Sequence, residues 1–374
     1  MRLVSTSCRF WPVPEMSASP RVCKVVLHRL LVPVISHRRV NVKVVTVKRN
    51  FCNETFKREQ YDKDVSKTFG ENMHNRARYV IFFQYIGTQY SGAVKVPSCQ
   101  LVRKGVQDHL EDAIRKLKPL NQVSMTVSSR TDRGVHALSN SAHFDLQRQN
   151  NKPPFSEDIL VEALNFHLRA EQIGITRAQR VPENFHARYC AQSRTYVYRI
   201  ALGISHHSLI PLTDQHLCWS IPNTELDVGA MREAAALLVG THDFSSFKAA
   251  NSDDPSKSLV KTLDVVSIQP GSSFARAHFH REMAFLELTF TSRSFLYKQV
   301  RRMTGALVAV GRGKRSVLQL HELLLARDSL AFPNFMLAPA DGLFLTKVAY
   351  RETDLQLSQQ TSEERFISSG NSEE

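Results

Sequence analysis

The segment SRTDRGVHA at residues 129–137 places a carboxylate between two arginines in a short polar loop. Asp132 is the carboxylate, and Arg130 and Arg133 flank it. An ionised carboxylate can act as a nucleophile in covalent catalysis. The same residues also suit an ordinary turn, because Asp accepts hydrogen bonds from nearby backbone N–H groups and Gly134 tolerates a positive φ. The loop is a candidate catalytic loop, with a plain turn as the alternative.

Alternating apolar residues on both sides of this loop predict the strands that hold it. Helical spacing of apolar residues predicts helices before and after those strands. The order strand, helix, strand, strand, helix, strand is typical of a ferredoxin-like, or RRM-like, unit. The predicted elements are strand 78–86, helix 104–118, strand 123–127, strand 142–146, helix 156–168 and strand 172–180.

A similar order of elements recurs in the rest of the chain. We therefore predict an α/β (α+β) protein of two related halves, whose antiparallel sheets meet at a central cleft. The second set is strand 194–202, helix 225–239, strands near 259–268, 274–281 and 284–292, helices 295–311 and 316–327, and strand 343–350.

Several further motifs follow the aspartate loop in a fixed order, which makes them a more specific signal than any one alone. Together they resemble the TruA family of tRNA pseudouridine synthases over roughly residues 78–350, and within it the animal branch called pseudouridylate synthase-like protein one. The motifs are FHAR at 185–188, SRTYVY at 193–198, GTHDFSSF at 240–247, the segment 295–305 around VRRM, and GLFL at 342–345.

The resemblance implies an isomerase that acts on RNA, chiefly tRNA, at a uridine in or near the anticodon stem-loop. The reaction breaks the bond between uracil N1 and the ribose, rotates the base and rejoins it through C5. It involves no net redox change or hydrolysis, so no cofactor and no metal are expected. A carboxylate near C1′ and C6 suits this chemistry, and Asp132 is the expected nucleophile.

Arg301 lies at the family position that pairs with the catalytic carboxylate. Such a cation stabilises the negative charge of Asp132 and holds its rotamer. Without the resemblance, Arg301 is equally a surface residue of a basic helix, since Lys298 and Arg302 are close in sequence. Lys298 and Arg302 share one helix face and Arg301 points about 100° away from Arg302. We expect Arg301 to face the cleft, and Lys298 and Arg302 to face RNA phosphates.

Tyr196 alternates with Tyr198 and Ile200, a pattern that by itself predicts a buried strand face. In the family, the tyrosine at this position sits over the target base and is a candidate for removing the C5 proton. A phenol has an ordinary pKa near 10, so its hydroxyl needs activation to act as a base. The resemblance thus assigns Tyr196 to base stacking, and proton transfer is a further hypothesis.

The remaining substrate-binding candidates come from the same motifs. Arg130 is expected to help extrude the target nucleotide, because C1′ and C5 are otherwise inaccessible, and Arg133 is expected to contact a phosphate. Leu343 and Phe344 are expected to form an apolar wall behind the uracil. His136 is a further candidate contact, although His136, His186 and His242 are too scattered to suggest a metal site and also suit loop or core positions.

The net charge of +14 is concentrated at the amino terminus. Residues 1–50 contain ten Lys or Arg and one acidic residue, so they carry +9 and leave +5 for residues 51–374. An Arg-rich, acid-poor start resembles a mitochondrial transit peptide. The alternatives are a basic RNA-binding arm, or sequence upstream of a later start at Met73, with the protein in the cytoplasm or nucleus.

Composition divides the chain into four predicted regions. Residues 1–77 are a basic targeting segment and linker, 78–185 and 186–350 are the two α/β halves, and 351–374 are a polar tail expected to be disordered. No apolar run is long enough to span a membrane. Six scattered cysteines without a Cys-x-x-Cys pair indicate neither a disulfide framework nor a zinc site.

Three readings of function and assembly remain open at this stage. The chain could be a catalytically silent RNA-binding protein, or an active synthase acting mainly on mitochondrial messenger or ribosomal RNA, and it could form a homodimer as family members often do. One departure bears on RNA choice: Ala93-Val94 stands where the family usually has Trp-Gln. The intact Asp132, Tyr196 and Arg301 favour an active enzyme.

Overall fold

The computed structural model describes residues 75–95, 103–206, 209–222, 225–250, 258–273 and 283–357. Within these residues the strands form one continuous, mostly antiparallel sheet. Its strands are β1 (Arg76–Tyr85), β2 (Met125–Val127), β3 (His136–Gln147), β4 (Ile173–Val181), β5 (Ser193–Leu202), β6 (Trp219–Ile221), β7 (Gly240–Asp243), β8 (Val260–Gly271), β9 (Phe285–Ser292) and β10 (Leu343–Ala349).

Helices connect several of these strands, and their buried residues pack against the sheet in one large core. Short 3₁₀ helices occur at Gly87–Gln89, Ser245–Phe247 and Asn334–Met336. The α-helices are α1 (Val106–Lys116), α2 (Glu157–Leu168), α3 (Val228–Ala236), α4 (Gln299–Gly311), α5 (Val317–Ala326) and the one-turn α6 (Glu352–Leu355).

The strand order is β4-β1-β3-β10-β5-β9-β8-β7, with β2 paired to β3 and β6 paired to β5. The strands of the two predicted halves meet where β10 pairs with β3 in parallel, through Phe344 opposite His136 and Leu345 opposite Ala137. The sheet is therefore continuous across the junction, and the loop before β3 lies next to β10. The predicted mixed α/β fold is confirmed, while the domain boundary at residue 185 stays a prediction.

Alternation along β1 separates the two faces of the sheet. Tyr79, Ile81 and Phe83 belong to a large apolar core that also includes buried residues of α1 to α5. Val80 points the other way and packs with Phe185 in a smaller cluster. The large helices thus cover one face, and the segment between β4 and β5 covers part of the other.

The observed elements differ from the predicted ones mainly at their ends. The helix predicted at 225–239 begins at Val228, because the Asp227 side chain accepts the N–H of Ala230 and caps it. The helix predicted at 295–311 begins at Gln299, because Lys298 has a left-handed backbone with φ of 57°. The strand predicted at 274–281 lies outside the described residues.

Candidate active site

Close backbone packing holds the loop that carries Asp132. The Ala93 N–H donates to the Thr131 carbonyl at 3.1 Å, and the Thr131 hydroxyl lies 2.8 Å from the buried hydroxyl of Tyr85. Gly134 adopts a φ of +82°, which is the positive-φ position expected from the sequence. A Cβ on Gly87 would lie 2.0 Å from the Val135 carbonyl oxygen, so only glycine allows this approach. The turn interpretation is thus also correct: the loop is a well-packed turn.

Buried polar side chains support the same loop from below. The Asn140 amide donates to the Ser129 carbonyl at 3.1 Å, and the Ser128 hydroxyl donates to Asn140 Oδ1 at 3.0 Å. The Ser141 hydroxyl contacts both the Ser128 hydroxyl and the Tyr350 hydroxyl, at 2.9 Å and 2.7 Å. Buried and satisfied networks of this kind rigidify what they contact. Sequence reasoning missed these residues, since nothing in their spacing distinguishes them from ordinary strand positions.

Arg301 of α4 reaches across the sheet junction to the loop. Its Nη1 donates to Asp132 Oδ2 at 3.1 Å, and its Nε donates to the Ala338 carbonyl at 2.8 Å. The Asp132 side chain remains 21% exposed, against 13% for Arg301. The guanidinium therefore has a fixed direction, while part of the carboxylate stays open to a ligand. The structure brings together the two residues that the sequence singled out for this pair.

A glycine in α4 sets the position of Arg301. The segment before β10 runs so close to the helix that a Cβ on Gly305 would lie 1.6 Å from the Met336 carbonyl oxygen. The Ala338 N–H returns a hydrogen bond to the Arg301 carbonyl at 3.3 Å. The segment before β10 is therefore bonded to both the backbone and the side chain of Arg301.

Tyr196 lies beside the loop in the middle of β5. Its side chain is 6% exposed, its hydroxyl is 2.8 Å from the Ser129 hydroxyl, and its ring packs edge-on against Phe295. Burial raises the pKa of Tyr196 above its ordinary value, and the negative charge of Asp132 acts in the same direction. The hydroxyl is therefore a neutral phenol at neutral pH.

The apolar wall next to Tyr196 differs from the predicted one in one residue. Leu345 is opposite Tyr196 and Leu343 is opposite Tyr198 on the neighbouring strand, so these leucines share the face of Tyr196. Phe344 points to the other face, where its ring stacks on His136 at 4.7 Å. The prediction that Phe344 contributes to this apolar wall is therefore wrong, and Leu345 is the residue that shares the face of Tyr196 with Leu343. The alternation within GLFL could have identified it.

Comparison with known proteins shows the family of this chain. A family model described as tRNA pseudouridine synthase matches residues 81–190 and 234–351. Asp132 lies in the first range and Arg301 in the second, while Tyr196 lies between the two ranges. The chain belongs to the tRNA pseudouridine synthase family. The resemblance drawn from the motifs is thereby confirmed, and with it the isomerase class of the enzyme.

The alignments of this chain with individual relatives span nearly the whole length of each relative. A Xenopus laevis protein named tRNA pseudouridine synthase-like 1 is 50% identical over 285 residues, or 76% of this chain and 95% of its own length. The human protein of the same name is 48% identical over 74% of this chain and 90% of its own. A tRNA pseudouridine synthase A from Afipia carboxidovorans is 38% identical over 73% of this chain and 99% of its own.

Arg302 is buried in this family member and is not available to RNA phosphates. Its side chain is only 5% exposed, and Nη1 donates to the carbonyls of Ser246 at 3.1 Å and Lys248 at 2.6 Å. The guanidinium also lies over the Phe332 ring, 4.6 Å from its centroid. The expected phosphate contact is therefore wrong: Arg302 holds the 3₁₀ helix at 245–247 against α4.

His136 is also a structural residue rather than a substrate contact. It is fully buried, and Nδ1 accepts the Gly87 N–H at 2.9 Å. Nε2 lies 3.1 Å from the carbonyls of His216 and Asp341, which assigns the proton to that nitrogen. Both ring nitrogens are hydrogen-bonded within the protein, so the prediction that His136 contacts the substrate is wrong. The alternative, that His136 is a core residue, is correct.

Three predicted RNA contacts lie where a ligand could reach them. Arg130 and Arg133 are exposed on either side of Asp132. Lys298 is partly exposed at the start of α4, with its ammonium 5.0 Å from the centroid of the exposed Tyr297 ring. Exposed positive charge of this kind attracts a polyanion.

Among the described residues, no group of three or more His, Cys, Asp or Glu residues is arranged to hold a metal ion. In the same part of the chain, no helix is long and apolar enough to cross a membrane.

Proposed function

We propose that this enzyme isomerises a uridine in or near the anticodon stem-loop of tRNA, with Asp132 as the reacting carboxylate. The observation that carries the assignment is the ion pair of Asp132 with Arg301, which fixes the carboxylate and still leaves it partly open. Exposed Arg130 and Arg133 beside it supply the positive charge that RNA binding requires. The target uridine must leave its stack to reach this depth.

The reaction balances without any external reactant. The N1–C1′ bond breaks and its electron pair stays on the uracil, while an Asp132 oxygen bonds to C1′ or remains as its counter-ion. The uracil turns, its C5 bonds to C1′, and Asp132 is released. The C5 proton then leaves and N1 gains a proton, so that substrate and product are isomers. Arg301 keeps the carboxylate aimed at C1′ throughout.

Tyr196 has two proposed roles in this scheme. Its ring, backed by Leu343 and Leu345, forms the surface on which the uracil stacks and turns. Its hydroxyl lies next to Ser129 and is proposed to accept the C5 proton. Because burial raises the pKa of Tyr196, the hydroxyl can take the C5 proton only if its own proton passes on, and the Asp132 carboxylate released from C1′ is the proposed acceptor.

The choice of uridine is tested by mapping the product. Unmodified tRNA transcripts are incubated with the full chain, and pseudouridine is located by carbodiimide modification and primer extension. We expect stops in or near the anticodon stem-loop, absent with Asp132→Asn. Stops elsewhere in the tRNA would contradict the proposed position. The same assay is run on mitochondrial messenger and ribosomal RNA. If the protein binds these RNAs and the tRNA transcripts but gives no stop on any of them, it is a silent binding protein.

We further propose that the enzyme acts in the mitochondrial matrix and forms a homodimer. The concentration of positive charge in residues 1–50 supports import. Fusing residues 1–60 to a fluorescent protein should give a mitochondrial signal, and a diffuse signal would refute this. Sedimentation of the full chain tests the proposed homodimer. A monomer at micromolar concentration would contradict it.

A further inference from the structure

One buried guanidinium joins three main-chain segments, and at two of them the bonded residue is an exposed arginine. Arg194 is 7% exposed, and its Nη2 donates to the carbonyls of Ser128 at 2.9 Å and Arg188 at 2.8 Å. Its Nη1 donates to the Arg293 carbonyl at 2.6 Å. Three main-chain segments are thereby fixed around a single side chain.

The joined segments lie next to the candidate catalytic loop. Ser128 immediately precedes Ser129, whose hydroxyl contacts Tyr196, and Asp132 follows three residues later. Arg194 itself is two residues before Tyr196 and on the same face of β5. Arg194 thus links the exposed residues Arg188 and Arg293 to the start of the loop that carries Asp132.

The three arginines form a cluster of like charge. The backbone carbonyls of Arg188 and Arg293 both accept hydrogen bonds from the guanidinium of Arg194, so the main chains of the two exposed arginines lie close to each other. Within the described part of the chain, no carboxylate makes an ion pair with any of them. An anion bound beside the exposed Arg188 and Arg293 would therefore meet positive charge that no carboxylate of the described residues pairs with.

An exposed aromatic ring adjoins the cluster. Tyr189 is 71% exposed, and one face of its ring stacks on His186 with centroids 4.3 Å apart and an interplanar angle of 30°. His186 Nδ1 accepts the N–H groups of Arg188 and Tyr189 at 3.2 Å and 3.4 Å, and its ring lies 4.7 Å from that of His143. His186 therefore covers one face of the Tyr189 ring, and the other face is exposed to solvent.

We propose that Arg188, Tyr189 and Arg293 form a nucleotide-binding subsite for the RNA strand that flanks the target uridine. The two exposed guanidiniums contact a phosphodiester, and a neighbouring base stacks on the free face of Tyr189. Arginine with an adjacent aromatic ring suits single-stranded nucleic acid, because every base has a π-face and every linkage has a charge. The subsite rests on the proposed function, since it presupposes an RNA substrate at Asp132.

Binding of one unmodified tRNA transcript to the full chain tests the subsite. All proteins carry Asp132→Asn, so that the measurement does not depend on turnover. Tyr189→Leu should weaken binding about tenfold, the scale of one lost base stack, while Tyr189→Phe should bind like the parent. Arg188→Ala with Arg293→Ala should reduce the salt slope of log K by roughly one. Neither change removes the backbone carbonyls that Arg194 contacts.

The control is a second pair of exposed cations, Lys116→Ala with Lys152→Ala. Lys152 follows the far end of β3, roughly 35 Å from the Asp132 loop at the rise of a strand. Lys116 is the last residue of α1, about 15 Å along the helix from the end that is bonded to the segment beside that loop. Equal losses in the control and the arginine pair, or equal affinities of Tyr189→Leu and the parent, would overturn the subsite. If the subsite variants lose binding while the enzyme with intact Asp132 releases no tritium from uridine, the proposed function fails and the subsite stands.

Discussion

At the scale of single residues, Arg301 performs two tasks with one planar group. Nη1 holds Asp132 Oδ2 while Nε holds the Ala338 carbonyl, so the direction of the charge is fixed as well as its sign. A lysine would keep the charge without the fixed fork of donors. The geometry of the guanidinium, and not only its charge, therefore positions the carboxylate.

Replacement of Arg301 by lysine tests this directly. We expect kcat for pseudouridine formation to fall about a hundredfold, because misplacement of a reacting group by roughly 1 Å costs that much. The folded state should persist, as judged by an unchanged far-UV circular dichroism spectrum. A variant with at least half of the parent kcat would show that charge alone suffices.

Replacement of Tyr196 by phenylalanine separates the two roles of this residue. The ring is kept, so KM should change less than about threefold, whereas kcat should fall by about a hundredfold or more if the hydroxyl transfers the C5 proton. Steady-state tritium release from 5-tritiated uridine in tRNA gives both constants. An undiminished kcat would remove the proton-transfer role and leave the stacking role intact.

The motifs and the resemblance they carry were enough to select Asp132, Tyr196 and Arg301 as candidates, but not to give the direction of every side chain. Helical phase showed that Arg301 and Arg302 point about 100° apart, yet it could not show which of them faces solvent. The answer depends on the carbonyls of 246 and 248, which lie far away in sequence. His136 was ambiguous for the same reason, since its partners come from three other segments.

At the scale of elements, the contact of α4 with the segment before β10 determines where Arg301 points. Gly305→Ala would gain about 1 kcal/mol of helix propensity, but its Cβ would meet the Met336 carbonyl oxygen at 1.6 Å. We expect the steric term to dominate, with a net loss of about 2 kcal/mol in unfolding free energy and a lower kcat. Denaturant unfolding and tritium release measure the two effects.

Gly174→Ala in β4 is the matched control for this prediction. Its Cβ would find only the Gln84 side chain, at 3.6 Å, which is ordinary van der Waals contact. We expect parent-like activity and a stability change within about 0.5 kcal/mol, as for other substitutions without a named structural cost. If Gly305→Ala matched this control in both measurements, the close contact would not position Arg301.

The long, periodic elements followed from local pattern, whereas the short ones did not. Apolar spacing predicted α1, α2 and β5 to within two residues at each end. Strands β6 and β7 have three and four residues, too few to show a period, and exist because β5 and β8 pair with them. The parallel contact of β10 with β3 joins residues about 200 positions apart, and no local signal encodes it.

At the scale of the whole molecule, the segment between β4 and β5 is attached to the sheet by a neutral histidine. His143 Nδ1 accepts the Ala187 N–H at 3.1 Å, a bond that protonation of this nitrogen would break. Burial, with smaller effects of His186 and Arg78, lowers the pKa of His143 to about 4. The folded protein therefore binds a proton here less readily than the unfolded chain, in which the pKa is near 6.5.

This difference predicts an acid-sensitive stability. The contribution of His143 is fully present above about pH 6.5 and is lost as the pH falls towards 4, because the unfolded state takes up the proton first. The loss amounts to about 3 kcal/mol over that window. Denaturant unfolding at pH 7 and pH 4.5 should show a smaller pH effect for His143→Gln than for the parent. Equal pH effects in both proteins would contradict the assignment.

The central claim is that the carboxylate of Asp132, held by Arg301 at the junction of the sheet, carries out the isomerisation. The most direct measurement is tritium release from 5-tritiated uridine in unmodified tRNA transcripts, comparing the full chain with Asp132→Asn and with Asp158→Asn, an exposed aspartate at the start of α2. We predict release by the parent and by Asp158→Asn, and none above background by Asp132→Asn. Undiminished release by Asp132→Asn would contradict the claim.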